Sequence, residues 1–88
     1  MDIQGQFNDK VVLVTGAANG IGENAAQAFA IQGAEVVLAD IDTTGQQVAE
    51  RLCAQGHKAV FHVCDVSDPE SVASLFTFIQ DTFGRLDI

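Results

Sequence analysis

The chain has 88 residues, 48% of them hydrophobic, and a formal net charge of −8 from twelve acidic and four basic side chains. That length allows one small domain, and the apolar fraction is too high for a disordered tail. The bases Lys10, Arg51, Lys58 and Arg85 are scattered, which excludes the clustered cations of nucleic-acid binding, and the lack of Tyr excludes any mechanism needing a phenol from these residues.

The N-terminal segment 1–9 is polar and acidic, without the basic start and apolar run of a signal peptide. No stretch of about 18 apolar residues suggests a membrane span. Val11–Val14 is a β-branched run suited to a strand covered on both faces. A glycine-rich turn follows, then a helix from about Ile21, with Ile21, Ala25, Ala26, Phe29 and Ala30 expected on one face. Gly33 closes it. Glu35–Ala39 reads as the second strand, ending at Asp40. A second helix is expected from about Thr44 to Gln55, with Val48 and Leu52 inward, and Lys58–Val63 reads as the third strand. The third helix opens on a capping box, Ser67-x-x-Glu70, with Pro69 in its first turn. Val72, Leu75, Phe76, Ile79 and Phe83 fall on one apolar stripe, read as core. Gly84 ends this helix, and Arg85–Ile88 begins what reads as a fourth strand. Short apolar runs alternating with helices mark βαβ units. The expected fold is therefore α/β: a Rossmann-type, doubly wound parallel sheet, seen as a βαβαβα portion ending within strand four.

Cys53 and Cys64 form no C-x-x-C pair and read as reduced, buried and intracellular. His57 and His62 lack metal-ligand spacing, so no metal site is expected.

Thr15-Gly16-Ala17-Ala18-Asn19-Gly20-Ile21-Gly22 lies between the first strand and the first helix. Its G-x-x-x-G-x-G spacing differs from G-x-G-x-x-G, but glycines here serve the same ends. One turns the chain with positive φ. Another lets amide N–H groups approach a pyrophosphate, and a third lets helix and strand pack closely. The helix N-terminus then attracts the anion, which suits an acidic protein. Two carboxylates share that rim: Asp40, at the end of strand two, is placed to accept both adenosine ribose hydroxyls, and Asp65 follows strand three. Asp42 and Asp68 read as solvated acids or caps. A carboxylate at Asp40, beside apolar Ile41 and Ala17 and near acidic Glu23, would repel a 2′-phosphate. The expected cofactor is NAD, not NADP.

These residues resemble the classical branch of the short-chain dehydrogenase/reductase family. The marks are Thr15-Gly16 to Gly20-Ile21-Gly22, Gly33-Ala34, Asp40, Cys64-Asp65-Val66, Ser67-Asp68-Pro69-Glu70 and Phe83-Gly84-Arg85-Leu86-Asp87-Ile88. The resemblance runs from about Lys10 to Ile88. It implies that Gly16, Asn19, Gly20, Ile21 and Gly22 line the pyrophosphate and adenosine, and that Asp40 takes the ribose with Ile41 alongside. It also implies that Asp65 bonds the adenine amino group with Val66 against the ring, and that Thr15 helps fix the turn. The implied activity is hydride transfer between a nicotinamide and an alcohol or carbonyl substrate, in a cytoplasmic homodimer or homotetramer. The family's catalytic Ser and Tyr-x-x-x-Lys lie beyond the matching segment, so no residue is assigned as catalytic. Residues 1–88 are then expected to be the N-terminal part of one NAD-binding Rossmann domain, inactive and marginally stable when made alone. The other readings are a non-catalytic nucleotide-binding or interaction module and a methyltransferase. Gly20-Ile21-Gly22 and Asp65-Val66 argue against the latter.

Overall fold

The computed structural model describes residues 7–18 and 20–88. The elements run β1 (Val11–Thr15), α1 (Gly20–Ile31), β2 (Glu35–Asp40), α2 (Gly45–Ala54), β3 (Lys58–Val63) and α3 (Pro69–Phe83). The strands form one parallel sheet in the order β1-β2-β3. Val12 pairs with Val36, and Val36 with Ala59. This is the expected α/β, doubly wound arrangement, because side chains alternating along each strand feed two cores.

On one face Val12, Val14, Val36 and Leu38 pack with Ala26 and Ala30 of α1 and Val48, Ala49 and Leu52 of α2. On the other, Val11, Val37 and Ala39 pack with Cys64 and with Leu75 and Ile79 of α3. The central strand β2 is buried from Val36 to Ala39, which is why it reads as an unbroken apolar run. All three strands point their C-terminal ends to one rim, where the glycine turn, Asp40 and Asp65 lie.

Several details depart from the sequence reading. Ile21 is 89% exposed. It sits in the first turn of α1, beyond the end of the sheet, and so leaves the apolar face to Ala25, Ala26, Phe29 and Ala30. Phe76 is also exposed, and Phe78 takes its place, its ring 5.0 Å from that of His62. Cys53 is exposed rather than buried, and its thiol donates to the Ala59 carbonyl at 3.2 Å.

The cap of α3 is Asp68, not Ser67: its carboxylate accepts from the Glu70 N–H at 3.0 Å. Pro69 disfavours helical geometry at the residue before it, so Asp68 is extended and becomes the cap. Asp68→Ala is expected to cost about 1 kcal/mol, lowering the melting temperature by roughly 4–8 °C. Thermal melts followed by circular dichroism check this.

Residues 85–88 do not form a strand, yet they lie beside β1. The Leu13 N–H donates to the Ile88 carbonyl (2.8 Å), and the Val11 carbonyl accepts from the N–H groups of Asp87 (2.9 Å) and Ile88 (3.3 Å). That is one rung of a parallel ladder with Val12 opposite Ile88. The rung does not extend, because the Asp87 carboxylate takes the Val11 N–H at 2.8 Å in place of a backbone carbonyl.

Candidate functional site

At the C-terminal rim of the sheet, Thr15, Gly16, Ala39, Asp40, Ile41, Cys64, Asp65 and Val66 line an open cleft of about 320 Å³. Clefts at this rim are where open parallel sheets bind ligands. Its walls come from the three segments that leave the strands, so the sheet itself sets their spacing.

The glycine turn is shaped by two demands. Gly16 and Gly20 have φ of +65° and +62°, in a region that costs a residue with a Cβ about 1–2 kcal/mol. A Cβ on either would point into open space, so the turn keeps clear room in front of its backbone. At Gly22 the demand is contact: a Cβ there would lie 2.0 Å from the Gly16 carbonyl oxygen. The first turn of α1 therefore rests directly on the turn that leaves β1. This is the close approach expected of the third glycine. Asn19, expected to line the pyrophosphate, lies outside the described residues.

Asp40 fastens the turn to the sheet. Its Oδ2 accepts from the Ala18 N–H at 3.0 Å and its Oδ1 from the Asp42 N–H at 2.9 Å. The Ala17 N–H reaches the Ala39 carbonyl at 3.3 Å alongside. The Asp42 and Ala18 N–H groups hold the Asp40 carboxyl below the ordinary aspartate range. A group depressed on folding contributes stability that is complete above its unfolded pKa and is lost as pH falls through the lower folded value. The Asp40 contribution should therefore be constant above about pH 4 and fade below it. Melts of wild type and Asp40→Asn across that range should diverge above about pH 4 and converge in acid.

Asp65 is held by two serines. The Ser67 N–H (2.9 Å) and hydroxyl (2.6 Å) both donate to its Oδ1, and its own N–H donates to Ser71 Oγ at 2.9 Å. The Ser67 hydroxyl, then its N–H, lowers the carboxyl from the ordinary range. Beside the two acids stand exposed apolar side chains: Ile41 is 64% and Val66 67% exposed. Solvent exposure of two such residues flanking one cleft suits a flat apolar ring.

The structure thus brings Gly16, Asp40, Ile41, Asp65 and Val66 into one cleft. Gly20, Ile21 and Gly22 lie at the adjoining start of α1. Among the described residues no cation lines the cleft. Arg51 pairs with Glu23, Lys58 with Glu35 at 3.9 Å and Arg85 with Asp87 at 2.7 Å, while Lys10 precedes β1 at the sheet's opposite end. Among the described residues no three His, Cys, Asp or Glu side chains converge as metal ligands, and no helix is long and apolar enough to cross a membrane.

The sequence reading missed the roles of Ala18, Ser67 and Ser71. The first cannot be read from a side chain, because a backbone amide does the work. Ser67 was legible: an Asp that accepts from the N–H two residues on is an Asx turn, and Asp40-x-Asp42, Asp42-x-Thr44 and Asp65-x-Ser67 all form one.

Residues 16–88 match the model of a family described as enoyl-(acyl carrier protein) reductase. Oxidoreductase UcpA of Escherichia coli K12 is 42% identical over 84 residues, covering 96% of this chain and 32% of that protein. The structure superposes on a citronellol catabolism dehydrogenase from Pseudomonas aeruginosa PAO1 with a TM-score of 0.92 and 29% identity, over 98% of this chain and 36% of that one. A metagenomic short-chain oxidoreductase solved in complex with NADP gives 0.88 and 34%, over 93% of this chain and 38% of that one. The chain spans about a third of the length of these relatives. With parallel strands, a glycine turn and two rim carboxylates in one frame, and with these matches along nearly all its length, the chain belongs to the short-chain dehydrogenase/reductase family.

Proposed function

We propose that the cleft binds the adenosine–pyrophosphate half of NAD(H), and that these residues form the N-terminal part of the dinucleotide-binding domain of an NAD-dependent dehydrogenase. The observation that carries this reading is the Asp40 carboxylate at the end of β2, beside the glycine turn, in a cleft that no cation lines among the described residues. A carboxylate there favours ribose hydroxyls, which donate to it, over a 2′-phosphate, which it repels. The residues present fit the group: the open room before Gly16 and Gly20 is what a pyrophosphate needs to reach backbone N–H groups.

When bound, the nicotinamide supplies or accepts the hydride exchanged with an alcohol or carbonyl substrate. The protein's own part is to hold and orient. Gly16, Asn19, Gly20, Ile21 and Gly22 border the pyrophosphate, with the α1 N-terminus offsetting its charge. Asp40 accepts from the ribose with Ile41 beside it. Asp65 accepts from the adenine amino group while Val66 covers the ring. No residue of the 88 is assigned to move the substrate proton, and that role falls to a residue outside them. The intact protein is read as a cytoplasmic homodimer or homotetramer.

A titration with AMP followed by amide NMR tests the site. Shifts are expected to concentrate at Gly16, Ala18, Ile41, Asp65 and Val66. Perturbations scattered elsewhere, with these amides unmoved, would overturn the assignment.

A further inference from the structure

We infer that Ser67 is a positioning residue that makes the cleft select an amino-bearing base over an oxo-bearing one, by fixing the carboxylate of Asp65. The inference rests on the reading of the cleft as an adenosine site. Asp65 leaves the end of β3 on a short connection to α3, and its side chain has no core to lock its rotamer. Ser67 supplies the constraint. Its N–H and its hydroxyl both donate to the same oxygen, Oδ1, at 2.9 and 2.6 Å. Ser71, in the first turn of α3, fixes the backbone end by accepting the Asp65 N–H at 2.9 Å. Among the described residues no donor meets Oδ2.

The consequence is chemical. An ionised carboxylate only accepts hydrogen bonds, so one held opposite the exocyclic position binds a base with an amino donor there and is repelled by a carbonyl oxygen there, and only a carboxylate free to move could reach the ring N–H beside that oxygen. Donation from Ser67 also favours the charged form of Asp65, holding its carboxyl below the ordinary aspartate range. A carboxylate free to rotate would swing away from an oxo group and lose the repulsion. The discrimination therefore belongs to the pair Ser67–Asp65, although Ser67 itself touches no base.

The test is calorimetric titration of the full chain with NADH and with its hypoxanthine analogue, in wild type, Ser67→Ala, Ser67→Thr and Asp65→Asn. Ser67 is exposed and precedes α3, and circular dichroism verifies the fold of each variant. Wild type is expected to prefer NADH by roughly tenfold or more, the worth of one hydrogen bond to a charged group. Ser67→Ala should cut that preference by about three- to tenfold, while Ser67→Thr, which keeps both donors, retains it. In the Asp65→Asn background Ser67→Ala should change the preference no further. Equal weakening of both dinucleotides by Ser67→Ala, or an unchanged preference, would overturn the positioning role while leaving the cleft assignment intact. Failure of wild type to bind either dinucleotide would instead overturn the assignment, and the inference with it.

Discussion

Gly22→Ala is expected to lower the melting temperature by about 15 °C. The new Cβ would stand 2.0 Å from the Gly16 carbonyl oxygen, 2.6 Å from the Gly16 carbonyl carbon and 3.1 Å from the Ala17 Cα. All three are backbone atoms, so no side chain can rotate out of the way. Relief requires α1 to lift from β1, and that loosens Ala26 and Ala30 from Val12 and Val14. Overpacking a well-fitted contact costs about 1–3 kcal/mol, occasionally more, and a clash with fixed backbone belongs at the upper end. Gly16→Ala makes the contrast. It adds its methyl to open space and should cost only the left-handed backbone penalty, about 1–2 kcal/mol. Thermal melts of the two variants side by side check the order: Gly22→Ala should melt well below Gly16→Ala.

Asp40→Ala is expected to weaken NADH binding by about ten- to a hundredfold. The side chain has two tasks in the proposed site. It anchors the turn through Ala18 and its own loop through Asp42, and it accepts from the ribose. A hydrogen bond to a charged group is worth about 1.5–3 kcal/mol, and each 1.4 kcal/mol is roughly tenfold in affinity. Removing the carboxylate also removes its repulsion of a 2′-phosphate. NADPH should therefore lose less than NADH, or gain, and the preference between them should narrow. A carboxylate that acted only as an anchor would weaken both dinucleotides alike. Paired titrations of the variant by fluorescence or calorimetry separate the two roles.

The fold was legible because local and global signals agree. Continuous apolar runs at Val11–Val14 and Val36–Ala39 become the doubly covered strands, and helical periodicity in Val48–Leu52 and Leu75–Ile79 becomes the two inward faces. What was not legible lies where tertiary position overrides pattern. Ile21 and Phe76 fit an apolar period yet stand outside the core, because a helix turn beyond the sheet's end, or off its contact line, has nothing to pack on. Cys53 is small and apolar in habit, yet it lies near the open side of the edge strand and donates to a carbonyl there. In the site the acids were readable from their places after apolar runs. The fastening of Asp40 to Ala18 was not, because backbone amides leave no mark in the sequence. The glycines were readable as a group, but their division of labour was not. Whether a position needs positive φ or needs room is decided by which atom sits opposite, as at Gly22.

In the proposed site the Asp40 carboxylate is what selects NAD(H). The most direct measurement is a paired calorimetric titration of the folded wild-type protein with NADH and NADPH under identical salt. Tighter binding of NADH is expected, because its ribose hydroxyls donate to a carboxylate that would repel a 2′-phosphate. Binding of NADPH as tightly as NADH, or more tightly, would contradict it.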